Sequence, residues 1–229
     1  MGVTNESKIV IMNEKLEIKE EKKVNSPITS VDTSHQGNLI SITCENGECV
    51  IWSRKKDKMW KLKCPISLKF PKTSFEFRGS FFALKKNSKK KPEENEEFFF
   101  TYQVYQSLKK SFISKWRVEE DQVFHIQSVF SCKFQTSLSV SPCLNFVTAG
   151  DSDGSVYVFD FDSLNRFMVS TPHKLFVSDV TVLDHNVFSV SGDRILYVSP
   201  LKKNVSSFNI YYFLALVFLL LSIIYKLFL

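Results

Sequence analysis

Four histidines, five cysteines and a few carboxylates are the residues with which this chain could do chemistry, and their spacing argues against most of it. His35, His125, His173 and His185 do not stand beside a serine or cysteine in a nucleophile setting. No H-E-x-x-H, G-x-x-x-x-G-K-S/T or G-x-G-x-x-G pattern occurs. Cys44, Cys49, Cys64, Cys132 and Cys143 form no C-x-x-C pair and are odd in number, so neither a zinc site nor a disulfide framework follows. Scattered through strand-like segments, they read as small apolar core residues of a reducing compartment. Asp151 and Asp179 are isolated carboxylates. Covalent catalysis is therefore not legible, and neither a cofactor site nor a metal site is expected. His173 reads as a residue that bonds within its own sheet. Asp153 and Asp193 read as turn residues whose carboxylates cap backbone N–H groups.

The elements that hold these residues repeat along the chain. NLISITCENGECVIW (38–52) and NFVTAGDSDGSVYVF (145–159) align without gaps. Each has alternating apolar residues, a turn built on Asn46-Gly47 or Asp153-Gly154, and a second alternating strand that ends in an aromatic. That is a hairpin with its preferred turn chemistry. VFSVSGDRILYV (187–198) is a shorter version, with Asp193 in its turn. HKLFVSDVTVL (173–183) supplies the strand that precedes such a hairpin in a WD repeat, and Pro142 and Asp160 also fall at WD-repeat positions. A degenerate unit lies between Trp52 and Trp116, with strands expected near 74–84 and 98–106. Trp52, Trp116, Phe159 and Val198 then mark four successive blades of four strands each.

The expected fold is all-β: a WD-repeat propeller with about four blades present, followed by one C-terminal transmembrane helix. Residues 1–25 form a partial blade or arm, in which KIVIM (8–12) is a third strand and KLEIK (15–19) the outer one. Residues 26–200 form the blades. The charged stretch 85–97, KKNSKKK followed by Pro92 and EENEE, is a solvated loop whose opposite charges cancel within a Debye length. The net charge of +6 is modest and its lysines are not interleaved with aromatics, so nucleic-acid binding is not expected. Phe75, Phe77, Phe81, Phe82 and Phe98 to Phe100 are expected mostly as packing residues.

Residues 201–209 are a basic linker, and 210–229 carry a single charge, Lys226. Twenty helical residues span roughly 30 Å, the thickness of a bilayer core, so this run is expected to be an anchor. Lys202 and Lys203 before it place the preceding domain in the cytosol by the positive-inside rule. A tail of bare spanning length fits the thinner endoplasmic reticulum bilayer.

Hairpins of this type leading directly into an anchor resemble the prolactin regulatory element-binding protein family. These are the animal counterparts of the yeast endoplasmic-reticulum exchange factor that starts COPII coat assembly. The matching stretches are 151–183, VFSVSGDRILYV (187–198), the H-x-x-x-V-x-D-V pattern at 173–180, S-F-E-F-R at 74–78 and the basic residues before the tail. The resemblance covers what would be the C-terminal half of the family's seven-bladed propeller. It implies a single-pass endoplasmic reticulum protein with a cytosolic propeller, which promotes GDP release from the small Ras-like GTPase of COPII vesicle formation in transport to the Golgi.

In the family a glycine-rich, potassium-binding loop of the first blade does this work. This chain has only seven, well-separated glycines, so no catalytic or potassium-binding residue carries over. Three readings of that departure follow: a chain whose first half is missing, a divergent exchange factor, or an anchored scaffold without exchange activity. The half-blade start favours the first. A DNA-binding transcriptional regulator is a further alternative, which the anchor opposes.

Overall fold

The computed structural model describes residues 2–4, 7–65, 75–85, 96–119, 122–141 and 145–202. The expected anchor at 210–229, Lys203, most of the charged loop, Pro142 and Cys143 lie outside these residues. Among the described residues, no helix is long and apolar enough to cross a membrane.

The strands β1 (Gly2–Thr4), β2 (Lys8–Met12) and β3 (Ile18–Lys23) form a first sheet in that order. A second contains β4 (Ile28–Thr33), β5 (Leu39–Cys44), β6 (Cys49–Ser53) and β7 (Lys58–Lys61). The third contains β8 (Glu76–Lys85), β9 (Glu96–Tyr105), β10 (Lys110–Glu119) and β11 (Gln122–Phe130). The fourth contains β12 (Gln135–Val140), β13 (Phe146–Asp151), β14 (Val156–Asp160) and β15 (Arg166–Ser170), and the fifth contains β16 (Val177–Leu183), β17 (Asn186–Ser191) and β18 (Leu196–Pro200). Every pairing is antiparallel between consecutive strands.

The sheets stand beside one another as blades. From the second sheet onward, the first strand of each meets the first strand of the next: β8 packs on β4 and β5, β12 on β8 and β9, and β16 on β12 and β13. Middle strands are thereby covered on both faces, so β5 (LISITC) and β6 (CVIWS) are buried at every position, whereas the outer β7 is not. Four apolar layers fill the four junctions. Ile9 and Val24 meet Ile40, Ile42 and Trp52 at the first, and Cys49 and Ile51 meet Phe77, Phe99 and Trp116 at the second. Phe98, Phe100 and Tyr102 meet Val147 and Phe159 at the third, and Val156 and Val158 meet Val177, Val180 and Val187 at the fourth. The phenylalanine bursts of the degenerate blade thus fill the layers on both its sides.

Two expectations need correction. KLEIK does not form the outer strand of the first sheet. Leu16 has φ +63 and the backbone closes a turn from Asn13 to Glu17, so the strand begins only at Ile18. The Asn13 side chain accepts from the backbone N–H groups of Lys15 and Glu17, which makes the turn more favourable there than an extended chain. The fifth sheet has three strands among the described residues, not four. The third sheet has the strands expected near 74–84 and 98–106, at Glu76–Lys85 and Glu96–Tyr105.

Because Val158 is fully buried at a junction, Val158→Ala should cost about 2 kcal/mol through lost burial and the space it leaves. Ile126→Ala, at a half-exposed position of an outer strand, should stay within about 0.5 kcal/mol. Thermal melting followed by tryptophan fluorescence separates the two.

Candidate functional site

The turns that join the second and third strands of the complete sheets and of the fifth lie beside the entries of first strands, bonding either to that of their own sheet or to that of the following one. Gly47 O accepts from Phe77 N at 2.9 Å, and the Gln106 amide donates to Glu76 at 3.0 Å. Ser152 N donates to Phe134 O at 2.9 Å and His173 N to Gly154 O at 3.3 Å. Gly47 and Gly154 have φ of +78 and +84. A Cβ on Gly154 would stand 2.2 Å from the His173 carbonyl oxygen, so only glycine permits this approach.

Beside these turns, between the second, third and fourth sheets, a depression of about 530 Å3 opens among Thr29, Arg78, Tyr102, Gln106, Phe134 and Thr136. Its rim offers a guanidinium paired with Glu76 and the Gln106 side-chain amide, and Phe134 and Val104 supply apolar surface. Burial pushes the Tyr102 phenol up to about 12, so it stays protonated. This lining mixes hydrogen-bonding groups with apolar area and suits an extended polypeptide segment. Among the described residues no His, Cys, Asp or Glu group could hold a metal ion.

One constellation does look catalytic on distance alone. His173, in the loop before β16, places Nδ1 3.2 Å from Asp193 Oδ2 and Nε2 2.8 Å from Ser189 Oγ. The carboxylate can only accept, so Nδ1 carries the proton and Nε2 accepts from the Ser189 hydroxyl. That is the order of groups in a serine nucleophile triad. Here Ser189 and His173 are buried, with 2% and 4% of their surface exposed, and the hydroxyl faces no opening for a substrate. The same carboxylate accepts from the backbone N–H groups of Ile195 and Lys174. The arrangement therefore ties the entry loop, β17 and the β17–β18 turn into one unit. Burial raises the Asp193 pKa, but those two backbone donors and the His173 ring outweigh it, and the carboxyl stays below its ordinary value.

The equivalent cap in the fourth sheet belongs to Asp151, not Asp153. Asp151 accepts from the backbone N–H groups of Asp153 and Ser155 and from the Tyr157 hydroxyl at 2.8 to 2.9 Å. Among the described residues, the Asp153 carboxylate accepts only from the neighbouring Ser152 hydroxyl. Its own backbone N–H is what the turn uses. Asn46 caps its turn through Oδ1, accepting from Glu48 N at 3.1 Å. Asp179 accepts from Val180 N at a strand irregularity. Lys202 is exposed at the end of the fifth sheet.

The cysteines Cys44, Cys49, Cys64 and Cys132 are unbridged and buried. Burial raises the thiols of Cys44, Cys49 and Cys132, the last to about 12, which removes nucleophilic thiolate. The signal that residue counting missed is Lys115, 4% exposed at a position where the neighbouring sheets carry apolar residues. Its ammonium reaches across to Phe161 O at 2.9 Å and Asp162 O at 3.3 Å and lies over the rings of Phe98 and Phe161. Burial lowers its pKa.

Comparison with known proteins adds the fold. No family model and no curated protein matches the chain. Among solved structures, it is similar to a Dos1 propeller at TM-score 0.66 and 14% identity, over 90% of this chain and 56% of that one. It is also similar to the β-propeller domain of Myceliophteria thermophila Cps50 (Swd1), at TM-score 0.59 and 10% identity over 90% of this chain and 64% of that one. The computationally designed Ika4 protein matches at TM-score 0.52 and 17% identity, over 79% of this chain and 94% of that one. The chain is a β-propeller in fold. It spans less than two thirds of the length of the Dos1 and Cps50 propellers. These likenesses do not reach the exchange-factor family.

A depressed carboxyl stabilises the fold above its unfolded pKa of about 3.9, and that stability is lost as pH falls through the folded value. Asp193→Asn should therefore lower the melting temperature at pH 7, with the gap to the parent chain narrowing as pH falls below that unfolded value. A melting series across that range reads it.

Proposed function

We propose that the chain is a membrane-attached propeller platform that binds the small Ras-like GTPase of COPII vesicle formation and promotes its GDP release on the endoplasmic reticulum. The observation that carries the reading is an order: WD-type hairpins, then basic Lys202 and Lys203, then an apolar run of spanning length. The absence of a reactive serine, thiol or carboxylate pair in an accessible cleft of the described residues agrees with it. Nucleotide exchange needs no covalent step, only tighter binding of the nucleotide-free GTPase than of the loaded one. The depression ringed by Arg78, Gln106 and Thr29 supplies the docking surface for a GTPase loop. The second reading, a platform that binds without accelerating exchange, is favoured by the lack of any glycine-rich stretch.

GDP release from the COPII GTPase, followed by its tryptophan fluorescence with the full chain in vesicles, decides between them. Exchange activity should raise the release rate at least about tenfold, and Arg78→Glu should weaken binding by a similar factor. Binding with an unchanged release rate identifies the scaffold. Failure of either form of binding removes the GTPase from the proposal.

A further inference from the structure

We infer that Thr171 is a phosphorylation site for a proline-directed serine/threonine protein kinase, and that the tie between His173 and Asp193 gates access to it. This is independent of the GTPase reading. Four Ser-Pro or Thr-Pro pairs occur in the chain, beginning at Ser26, Ser141, Thr171 and Ser199. A proline after the acceptor has no N–H to leave unpaired in a kinase cleft, and it holds the acceptor itself extended. A lysine three places after the acceptor adds a charge for an acidic kinase surface to attract. Two of the four have it, Thr171-Pro172-His173-Lys174 and Ser199-Pro200-Leu201-Lys202, whereas Thr29 and Leu144 stand at that place after Ser26 and Ser141. A pattern of four residues carries little information by itself, and the surroundings separate the two.

Ser199 is 9% exposed and lies within β18, where it pairs with Val187, so its backbone is held in a ladder and its hydroxyl is covered. Thr171 is exposed, between the end of β15 at Ser170 and the start of β16 at Val177. Its hydroxyl meets that of Ser155 at 3.1 Å, a bond between exposed groups that water replaces at little cost. Lys174 is exposed as well. What holds the segment comes just after the acceptor. His173 N donates to Gly154 O at 3.3 Å, the His173 ring joins Asp193 to Ser189, and Lys174 N donates to Asp193 Oδ2 at 3.2 Å. A kinase cleft takes the residues after the acceptor as an extended segment, so His173 must leave its place first. Asp193 therefore sets how often the acceptor is offered, through local opening of this loop with the sheets intact.

In the transfer, Thr171 Oγ1 forms a bond to the γ-phosphorus of ATP while the bond from that phosphorus to the bridging oxygen of the β-phosphate breaks. ADP leaves with that electron pair, and the hydroxyl proton passes to the carboxylate base of the kinase. The product carries roughly two negative charges at neutral pH, beside Ser155 in the turn that also holds the exposed Asp153. Like charges there oppose reclosure of the loop.

Incubation of the full chain in detergent with ATP and a recombinant cyclin-dependent kinase, with sites mapped by peptide mass spectrometry, tests this. Phosphate should appear on Thr171 and not on Ser199 over the same time. Synthetic peptides covering 167–178 and 195–206 should both be phosphorylated, which assigns the protection of Ser199 to the fold. Lys174→Ala should slow the reaction at Thr171 about fivefold. Asp193→Asn should speed it about tenfold, the scale of the hydrogen bonds to a charged group that it removes, with Ser199 still unmodified. Phosphate on both residues of that variant marks loss of the whole fifth sheet and overturns the gate. No phosphate on Thr171, equal phosphate on Ser199 in the parent chain, or an Asp193→Asn rate no higher than the parent's overturns the proposal.

Discussion

Each middle strand of this chain carries apolar side chains on both faces, which no single antiparallel sheet with one wet side can satisfy. β5 and β6 are buried at all positions, and they stay so only while one sheet lies on each side. Lateral stacking of sheets follows from that requirement, and so does the crowding of β4, β8, β12 and β16 along one line. The position of the functional end follows too. Turns that close second strands onto third strands sit together, and the loops entering the next sheet must pass beside them. Gly154 and His173 meet there, as do Gly47 and Phe77. The depression near Arg78 is the space left where three such entries converge.

The same requirement separates structural from chemical uses of polar groups. Asp193, His173 and Ser189 stand in a reactive order, yet the sheet in front of the serine closes access to it. Buried polar residues between β-sheets must find partners, and here they find each other. In the third sheet Trp116 Nε1 donates to Thr101 at 3.0 Å, and Gln103 and Ser114 continue the chain of bonds to Ser128. These sets hold loops to strands.

Hairpins, their turn residues and the aromatic ends of third strands were legible because period-two alternation and Asn-Gly or Asp-Gly turns are local signals. Strand limits were less so where a side chain competes with the ladder, as Asn13 does by capping the turn that removes Lys15 to Glu17 from KLEIK. The carboxylate that caps the fourth-sheet turn was misassigned to Asp153 for a similar reason. Sequence shows which residue lies in a turn, whereas the direction of Asp151 depends on the strand it ends. How deeply each strand is buried was not legible at all. Leu196 and Val156 both stand two places after the left-handed residue of their turn, Arg194 or Gly154, yet they are 62% and 1% exposed, because the fifth sheet packs on Val156. The cross-sheet reach of Lys115 lay beyond local pattern for the same reason, since its partners Phe161 and Asp162 come from the following sheet.

That lysine bears on how firmly the blades are aligned. Two ridges of valine and phenylalanine can slide past one another by a fraction of a residue with little change in contact, because dispersion has no preferred direction. An ammonium between two carbonyl oxygens and two ring faces cannot, since any shift leaves a charged donor facing apolar surface. The junction between third and fourth sheets thus carries a charged angular lock, while the junction between fourth and fifth is aligned by neutral donors, the Thr136 and Thr148 hydroxyls, which reach across to the carbonyl oxygens of Val177 and Val180.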